Sequence, residues 1–234
     1  IMSLTSPGDF VLVEELTSPA IKGICNMLQL RLKGVAIDKN GILPDRLKQV
    51  AREHKAKVLY LVPNMHNPTT AVIPRNRREA IVKIAAEEGL TIIEDDVYGG
   101  LLDDRPDSLF SLSPKNVCYI SSLSKVVAPG LRIGYLIAPL SIRKRALSAL
   151  RVTTSMASPL LAQLASNWIA DGTAERLLNM HKKEAHRRQT IAHEILENLD
   201  YYSNPAGLHL WLDLPEPWRS TEFASILGER GVMV

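Results

Sequence analysis

The chain has 234 residues, of which 46% are hydrophobic and 23% charged, and its formal net charge is +3. This length allows a substantial core, as one large domain or as one domain plus part of a second. The composition is that of a globular protein, and so weak a positive charge gives no argument for nucleic-acid binding. The sequence has no recognisable signal peptide and no apolar run that could span a bilayer, so no membrane partner is predicted.

The two cysteines, Cys25 and Cys118, lie far apart in the sequence. Cys118 falls in an apolar strand-like run, where a free thiol usually acts as a small hydrophobic side chain. Such a pair fits a reducing compartment better than a disulfide framework, and the cytoplasm is predicted as the location.

Strand-like apolar runs alternate with helical patterns over the first 140 residues. Strands are predicted over 11–13, 34–37, 57–62, 90–93, 117–120 and 133–138. Several of these runs are apolar on both faces, as a buried parallel sheet requires. Helices are predicted between them over 44–52, with Pro44 in its first turn, and over 77–88, ended by Gly89. The alternation predicts an α/β domain with right-handed crossovers.

The pattern becomes mostly helical after residue 140. Helices are predicted over 142–152, 160–170, 173–199 and 221–230, and a strand over 208–214. The long helix carries a basic cluster, which is interpreted as a solvated face: Lys182, Lys183, Arg187 and Arg188. The likeliest domain boundary lies within this helix, joining a large sheet domain to a smaller α+β domain.

Other basic and histidine-rich stretches are not interpreted as sites. Arg75, Arg77 and Arg78 crowd the start of a predicted helix, where the helix surface or a partner subunit is favoured over nucleic acid. Five histidines lack the spacing of a metal-ligand set, and no metal is predicted: His66, His181, His186, His193 and His209.

Lys125 follows a predicted strand, among small hydroxyl residues. A lysine must lose its proton to attack an aldehyde, and the end of a buried strand beside a cofactor favours that loss. Ser122 and Ser124 are short donors suited to phosphate oxygens, and Arg132 can bind phosphate through two parallel hydrogen bonds. Taken singly, a solvated surface lysine is the simpler interpretation of Lys125.

Carboxylates follow the next strand upstream, at Asp95 and Asp96. Such groups point into the crevice where α/β folds bind ligands, and one of them can hold a pyridine nitrogen protonated. Tyr98 and Asn67 offer donors to a phenolic oxygen. The alternatives are a magnesium ligand or helix cap for the acids, a half-buried tyrosine, and a loop asparagine ahead of a proline. Together these groups meet the needs of pyridoxal 5'-phosphate (PLP).

Asn67-Pro68, Asp95 with Tyr98, and Lys125 with Ser122 and Arg132 occur in order, each after its own predicted strand. In this the sequence resembles the fold-type I PLP enzymes, the aspartate aminotransferase superfamily. The resemblance implies a three-layer α/β/α large domain with a mainly parallel sheet, plus part of a smaller α+β domain. It implies PLP as the cofactor, an amino acid or related amine or 2-oxo acid as the ligand, and a homodimer.

The resemblance also implies a domain division and a role for each residue. A PLP-binding large domain, incomplete at its N-terminus, is expected over 1–180. A linking helix and the start of a small C-terminal domain, incomplete at its end, are expected over 181–234. Lys125 is expected to bind PLP covalently and to shuttle a proton, Asp95 to face the pyridine nitrogen, and Asn67 and Tyr98 the phenolic oxygen. The phosphate is expected to meet Ser122, Ser124 and Arg132.

Asp96 is the weaker candidate for the nitrogen partner, because the superfamily places a tyrosine three positions after the functional aspartate. The superfamily also places a stacking aromatic residue in the stretch that corresponds to 15–19, where this chain has none. Its phosphate-binding glycine segment would precede residue 1, and its carboxylate-binding arginine would follow residue 234. We expect ring stacking to be weaker or supplied elsewhere.

A closer likeness is carried by three segments, 66–70, 121–130 and 207–212. These look like the aminotransferase-like domain of MocR regulators, GntR-type transcription factors that join a winged helix-turn-helix to a ligand-sensing PLP domain. The likeness implies a sensing effector domain, with DNA bound only through a domain absent from this chain. The alternative is a PLP-dependent class I/II aminotransferase that transfers an amino group between an amino acid and a 2-oxo acid. A third is an α/β domain without cofactor.

Overall fold

A central six-stranded sheet organises the chain, of which the computed structural model describes all residues from 1 to 234. Its strands, in chain order, are β1 (Phe10–Glu14), β2 (Arg31–Val35), β5 (Val58–Leu61), β6 (Thr91–Asp95), β7 (Val117–Ser122) and β8 (Gly134–Ile137). Their spatial order is β2-β1-β5-β6-β7-β8. All neighbours run parallel except β7 and β8, which are antiparallel. The predicted α/β fold with a mainly parallel sheet is confirmed.

Helices and two small sheets surround this one. The helices are α1 (Pro19–Met27), α2 (Pro44–His54), α3 (Arg75–Glu87), α4 (Leu109–Leu112), α5 (Leu140–Thr153), α6 (Pro159–Ala170), α7 (Thr173–Leu196) and α8 (Ser220–Glu229). One small antiparallel sheet pairs β3 (Ile37–Asp38) with β4 (Gly41–Ile42), and the other pairs β9 (Tyr201–Ser203) with β10 (Leu210–Leu212).

The central sheet is covered on both faces because successive strand residues point to opposite sides. Leu12, Leu59 and Ile92 face a core completed by α2 and α3. Val11 and Ile93 belong to a second core, to which α1 contributes. Two apolar cores on opposite faces of one sheet give the three-layer arrangement.

The structure adds elements that the apolar pattern did not predict. Helix α1 is one of them; it begins after Ser18, whose hydroxyl accepts the backbone N–H of Ala20, and has Pro19 in its first turn. It buries only Ile21 and Cys25, one turn apart, so its apolar stripe is too short to stand out. Strand β8 runs antiparallel to β7, because the connection after β7 reverses the chain; one such edge strand is compatible with the predicted, mainly parallel sheet.

The arginines at the start of α3 were expected at the helix surface or against a partner subunit, and for Arg78 this expectation is wrong. Its side chain is fully buried, and its guanidinium donates to the carbonyls of Ile73, Pro63 and Asp107 and to Oδ1 of Asn64. A buried arginine is tolerated because its planar fork finds an acceptor for most of its donors.

Arg75 and Arg77 behave as expected at the helix surface. Arg75 pairs with Glu79 and Asp107, and Arg77 pairs with Asp38. In the basic cluster on α7, Lys183, Arg187 and Arg188 are exposed as predicted, and both arginines bind Glu184. Lys182 departs from the prediction, because it is half-buried and pairs with Asp103. No helix in the structure combines the length and the apolar character needed to cross a membrane.

Candidate functional site

Polar side chains gather where β5, β6 and β7 end, at one edge of the sheet. These strands are neighbours, and their register aligns Leu61 with Glu94 and Asp95 with Ile120. Because parallel strands present their carboxyl ends together, the loops that follow them meet in one crevice. Asn67, Asp95, Tyr98 and Lys125 all come from this edge.

Asp95 is the last residue of β6, and only one of its carboxylate oxygens is occupied. Oδ2 accepts a hydrogen bond of 2.6 Å from the hydroxyl of Tyr60, whereas Oδ1 is buried without a partner. Burial raises the pKa of Asp95 above its ordinary value, and the Tyr60 hydroxyl and the nearby backbone N–H of Val97 offset part of that rise. Oδ1 is therefore a buried acceptor that lacks a donor, and a protonated ring nitrogen is such a donor.

The carboxylates on either side of Asp95 have structural partners. Glu94 accepts the backbone N–H groups of Leu109 and Phe110, at the start of α4. Asp96 accepts hydrogen bonds from the side-chain amide of Asn64 at 2.6 Å and from the Tyr119 hydroxyl at 2.8 Å, and it forms an ion pair with Arg105. Of the three carboxylates, Asp95 is therefore the one with an oxygen that lacks a partner. This agrees with the sequence-based preference for Asp95 over Asp96 as the partner of the ring nitrogen.

Tyr98 lies at the centre of the crevice, with its side chain 8% exposed. Burial, followed by the charge of Asp95, raises the pKa of its phenol, while a hydrogen bond with the Asn67 side chain lowers it. The Nζ atom of Lys125 lies 5.7 Å from the centroid of the Tyr98 ring. The structure thus brings together the four residues predicted to contact the reactive part of PLP.

The residues predicted to bind the phosphate lie at the end of β7 and on the connection that joins β7 to β8. A single 3-10 turn over Pro129–Leu131 is followed by Arg132 in the left-handed region, with φ of 50°, which returns the chain toward Ser124. Nη1 of Arg132 lies 3.5 Å from the Ser124 hydroxyl, and Oγ of Ser122 accepts the Ser124 backbone N–H at 3.3 Å. Arg132 and Lys125 remain exposed, so both can reach a ligand.

The residues present fit PLP on three counts. A buried carboxylate oxygen of Asp95 lacks a donor, Asn67 and Tyr98 supply two donor side chains to the same crevice, and an exposed amine lies over the Tyr98 ring. A cluster of hydroxyls and one guanidinium stands beside the amine, as a phosphate requires. The assignment of each residue to its part of the cofactor stays a proposal.

Two residues of this region were not singled out by sequence reasoning. Tyr60 donates to Asp95, and His209 lies against Tyr98 with ring centroids 5.6 Å apart. The signal for Tyr60 is a hydroxyl-bearing side chain in an otherwise apolar strand. The signal for His209 is a polar residue within the apolar segment 207–212.

A cleft of about 640 Å³ opens beside Lys125. One wall is Ser124 and Lys125, another is the face of α7 that carries His181, Arg188 and Gln189, and the third is the segment 207–210. A small molecule bound in this cleft would contact both the lysine and the C-terminal part of the chain.

Comparison with proteins of known sequence gives relatives of two kinds. An uncharacterized HTH-type transcriptional regulator of Bacillus subtilis, YdeF, is 30% identical over 234 residues, which are 100% of this chain and 51% of that protein. The 2-aminoadipate transaminase of Thermus thermophilus is 29% identical over 86% of this chain and 54% of its own length. The chain thus spans about half the length of these curated relatives.

Solved structures share the fold over nearly the whole chain. An archaeal alanine:glyoxylate aminotransferase superposes with a TM-score of 0.90 at 28% identity, over 99% of this chain and 61% of its own. The kynurenine aminotransferase of Pyrococcus horikoshii, solved in complex with PMP, gives a TM-score of 0.89 at 25% identity, with the same coverage. These neighbours confirm the resemblance to fold-type I enzymes and support PLP as the predicted cofactor.

The family model for aminotransferase class I and II matches residues 1–234, the full length of the sequence. It agrees with the polar crevice at the ends of β5, β6 and β7 and with the structural neighbours. The chain therefore belongs to the class I and II aminotransferase family.

Proposed function

We propose that this chain is a PLP-binding, aminotransferase-like domain that senses an amino acid or related amine or 2-oxo acid for a transcriptional regulator. The observation that carries the cofactor part is the buried Oδ1 of Asp95, which has no partner and lies in the same crevice as Tyr98 and Lys125. When bound, PLP supplies an aldehyde for an amine and a ring that takes up electrons.

Each residue of the crevice has a part in this proposal. Lys125 holds the cofactor covalently through Nζ, and Asp95 balances the charge of the ring nitrogen. Asn67 and Tyr98 donate to the phenolic oxygen, and Ser122, Ser124 and Arg132 bind the phosphate.

The regulatory part rests on the relatives. Several HTH-type regulators match most or all of this chain at about 30% identity while this chain covers about half of each. Under the proposal, DNA is bound by a domain outside the sequence described here, and the parent protein is a cytoplasmic homodimer. The free thiols of Cys25 and Cys118 support a reducing compartment.

Titration of the purified protein with PLP tests the cofactor assignment. A visible absorbance band from the lysine adduct is expected in the natural protein, and Lys125→Ala should abolish it. Lys144→Ala is the matched control, because Lys144 is also an exposed lysine but lies on α5, away from the crevice. Equal bands in the two variants would refute the role of Lys125.

The second candidate function is catalysis of amino-group transfer. It is favoured by the similarity to the 2-aminoadipate transaminase of Thermus thermophilus. Adding an amino acid to the full-length protein loaded with PLP distinguishes the sensor from the enzyme. Stoichiometric conversion of the band to that of the amine form, with release of a 2-oxo acid, identifies an enzyme. A band that shifts without 2-oxo acid, together with a change in DNA affinity, identifies a sensor.

A further inference from the structure

We propose that His209 is a positioning residue, which holds Asn67 and Tyr98 in the orientation that serves the phenolic oxygen of PLP. The inference rests on the proposed function, and it deepens that function by giving the C-terminal part of the chain a role in the site. Two contacts of the imidazole and one feature of its backbone carry it.

The first contact joins His209 to the turn that bears Asn67. Nε2 of His209 lies 3.0 Å from the carbonyl oxygen of His66. A carbonyl can only accept, so Nε2 carries the proton and donates. The same carbonyl accepts the backbone N–H of Thr70 at 2.7 Å. Since Asn67 directly follows His66, these bonds fix the peptide unit that carries Asn67, whose side chain lowers the pKa of the Tyr98 phenol.

The second contact is with Tyr98 itself. The two rings are 5.6 Å apart at their centroids and inclined by 53°, within the range of favourable aromatic pairs. Lys125 places its Nζ 5.7 Å from the same Tyr98 centroid. Ala206, three residues before His209, is buried in one apolar cluster with Tyr98. His209 therefore contacts the Tyr98 ring directly and, through the carbonyl of His66, the turn that bears Asn67.

The backbone around His209 is itself held in place. The side-chain amide of Gln189, on α7, donates to the carbonyls of Gly207 at 2.9 Å and of His209 at 3.2 Å. A Cβ atom at Gly207 would lie 2.9 Å from the carbonyl oxygen of Asn204, so the close turn requires glycine. The imidazole is thus presented by α7 and the segment before β10, far in sequence from Asp95 and Lys125.

Three variants separate the two contacts. His209→Phe keeps a ring against Tyr98 but loses the donor, and His209→Gln keeps a side-chain N–H donor but loses the ring. His193→Phe is the matched control, because His193, on α7, also makes a hydrogen bond through its ring, but its partner is the hydroxyl of Tyr201 on β9, 2.7 Å from Nδ1. Thermal unfolding of each variant reports whether the fold is retained.

The informative readout is the pH dependence of the visible absorbance of the PLP adduct on Lys125. Donors to the phenolic oxygen matter most once the adduct has lost its proton, because the oxygen then lacks its neighbouring N–H partner. Weaker donors therefore raise the pKa of the adduct. His209→Phe should raise it by roughly 0.5–1 unit, the size of one net hydrogen bond. His209→Gln should raise it less, and His193→Phe should leave it unchanged.

An adduct whose pKa is the same in His209→Phe and in the natural protein would overturn the inference and leave the proposed function intact. If no adduct forms even in the natural protein, the proposed function fails instead. The contact with the turn is tested without cofactor by the nitrogen chemical shifts of His209 in labelled protein. They should show the tautomer protonated at Nε2, and protonation at Nδ1 alone would contradict the inference.

Discussion

Three successive carboxylates, from Glu94 to Asp96, lie at the carboxyl end of β6, and they differ in whether each carboxylate oxygen has a hydrogen-bond partner. Glu94 holds two backbone N–H groups, and Asp96 holds an amide, a phenol and a guanidinium. Asp95 alone keeps a buried oxygen without a partner. A buried polar atom without a partner costs free energy in the absence of a ligand, which is typical of binding sites.

Asp95→Asn should have opposite effects on the protein without and with PLP. Because burial raises the pKa of Asp95, the folded state holds the proton to higher pH than the unfolded state. The contribution of Asp95 to the free energy of unfolding therefore falls as the pH rises above the unfolded value and stays low above the folded pKa. At pH 8 the uncharged variant should unfold at equal or higher urea concentration than the natural protein.

With PLP, the same variant should bind about tenfold more weakly or worse, because it loses a charge-assisted hydrogen bond worth about 1.5–3 kcal/mol. The apparent Kd follows from absorbance titration. A variant that binds PLP as tightly as the natural protein would contradict the assignment of Asp95 to the ring nitrogen.

The positions of Asn67, Asp95 and Lys125 could be predicted because each follows a strand of one parallel sheet, whose ends must meet. The contacts of Tyr60 and His209 could not. Tyr60 reaches Asp95 through the register of β5 against β6, and His209 reaches Tyr98 through packing of chain segments more than a hundred residues apart. The local pattern of apolar residues predicts neither the register of two strands nor the packing of distant segments.

At the scale of elements, the β3–β4 hairpin packs closely on the segment before α3. Gly41 in this hairpin has a φ of +87°, and a Cβ atom there would lie 2.7 Å from Cγ1 of Ile73, which is fully buried. Gly8 has the same φ of +87° but no atom within 4 Å of an added Cβ. Substituting alanine at each glycine therefore distinguishes the cost of a left-handed backbone, present at both positions, from the cost of steric overlap, present only at Gly41.

Gly8→Ala should lower the free energy of unfolding by about 1–2 kcal/mol, the cost of a left-handed alanine. Gly41→Ala should lower the free energy of unfolding by the same amount plus about 1–3 kcal/mol, because the added methyl group overpacks against Ile73. Urea denaturation of both variants measures the difference. Equal losses would mean that the hairpin moves away from Ile73 at no cost.

The buried Arg78 holds the segment from Pro63 to Asn64, from which the chain proceeds to the turn of Asn67. Arg78→Met should cost about 3–5 kcal/mol, because it leaves buried acceptors unpaired and removes the cation nearest Glu94, 4.0 Å away. Arg75→Met is the control, since its ion pairs are exposed and should contribute less than about 1 kcal/mol. Similar urea midpoints for the two variants would contradict the structural role of Arg78.

Sequence periodicity predicts these elements unevenly. The long apolar stripes of α2, α3 and α7 and the doubly apolar strands β1, β5 and β6 were predicted, with ends that shift by a few residues. Arg78 was assigned to the surface, because a charged residue in the first turn of a helix carries no sign of the acceptors that bury it.

In the whole molecule, the crevice is built from the central sheet and from the C-terminal part of the chain. The central sheet supplies the proposed cofactor residues, while α7 and the segment before β10 supply one wall of the cleft beside Lys125 and place His209. A ligand in that cleft would contact both parts, and it would favour one arrangement of them over another only if it bound the two arrangements with different affinity.

The proposed function depends on one amine, Nζ of Lys125, holding the cofactor opposite Asp95. Borohydride reduction of the protein with one equivalent of PLP, followed by peptide mapping by mass spectrometry, shows where the cofactor is bound. We expect a single phosphopyridoxyl group on the peptide that contains Lys125, and none in Lys125→Ala under the same conditions. Label spread over several lysines, or an equal yield of label in Lys125→Ala, would contradict it.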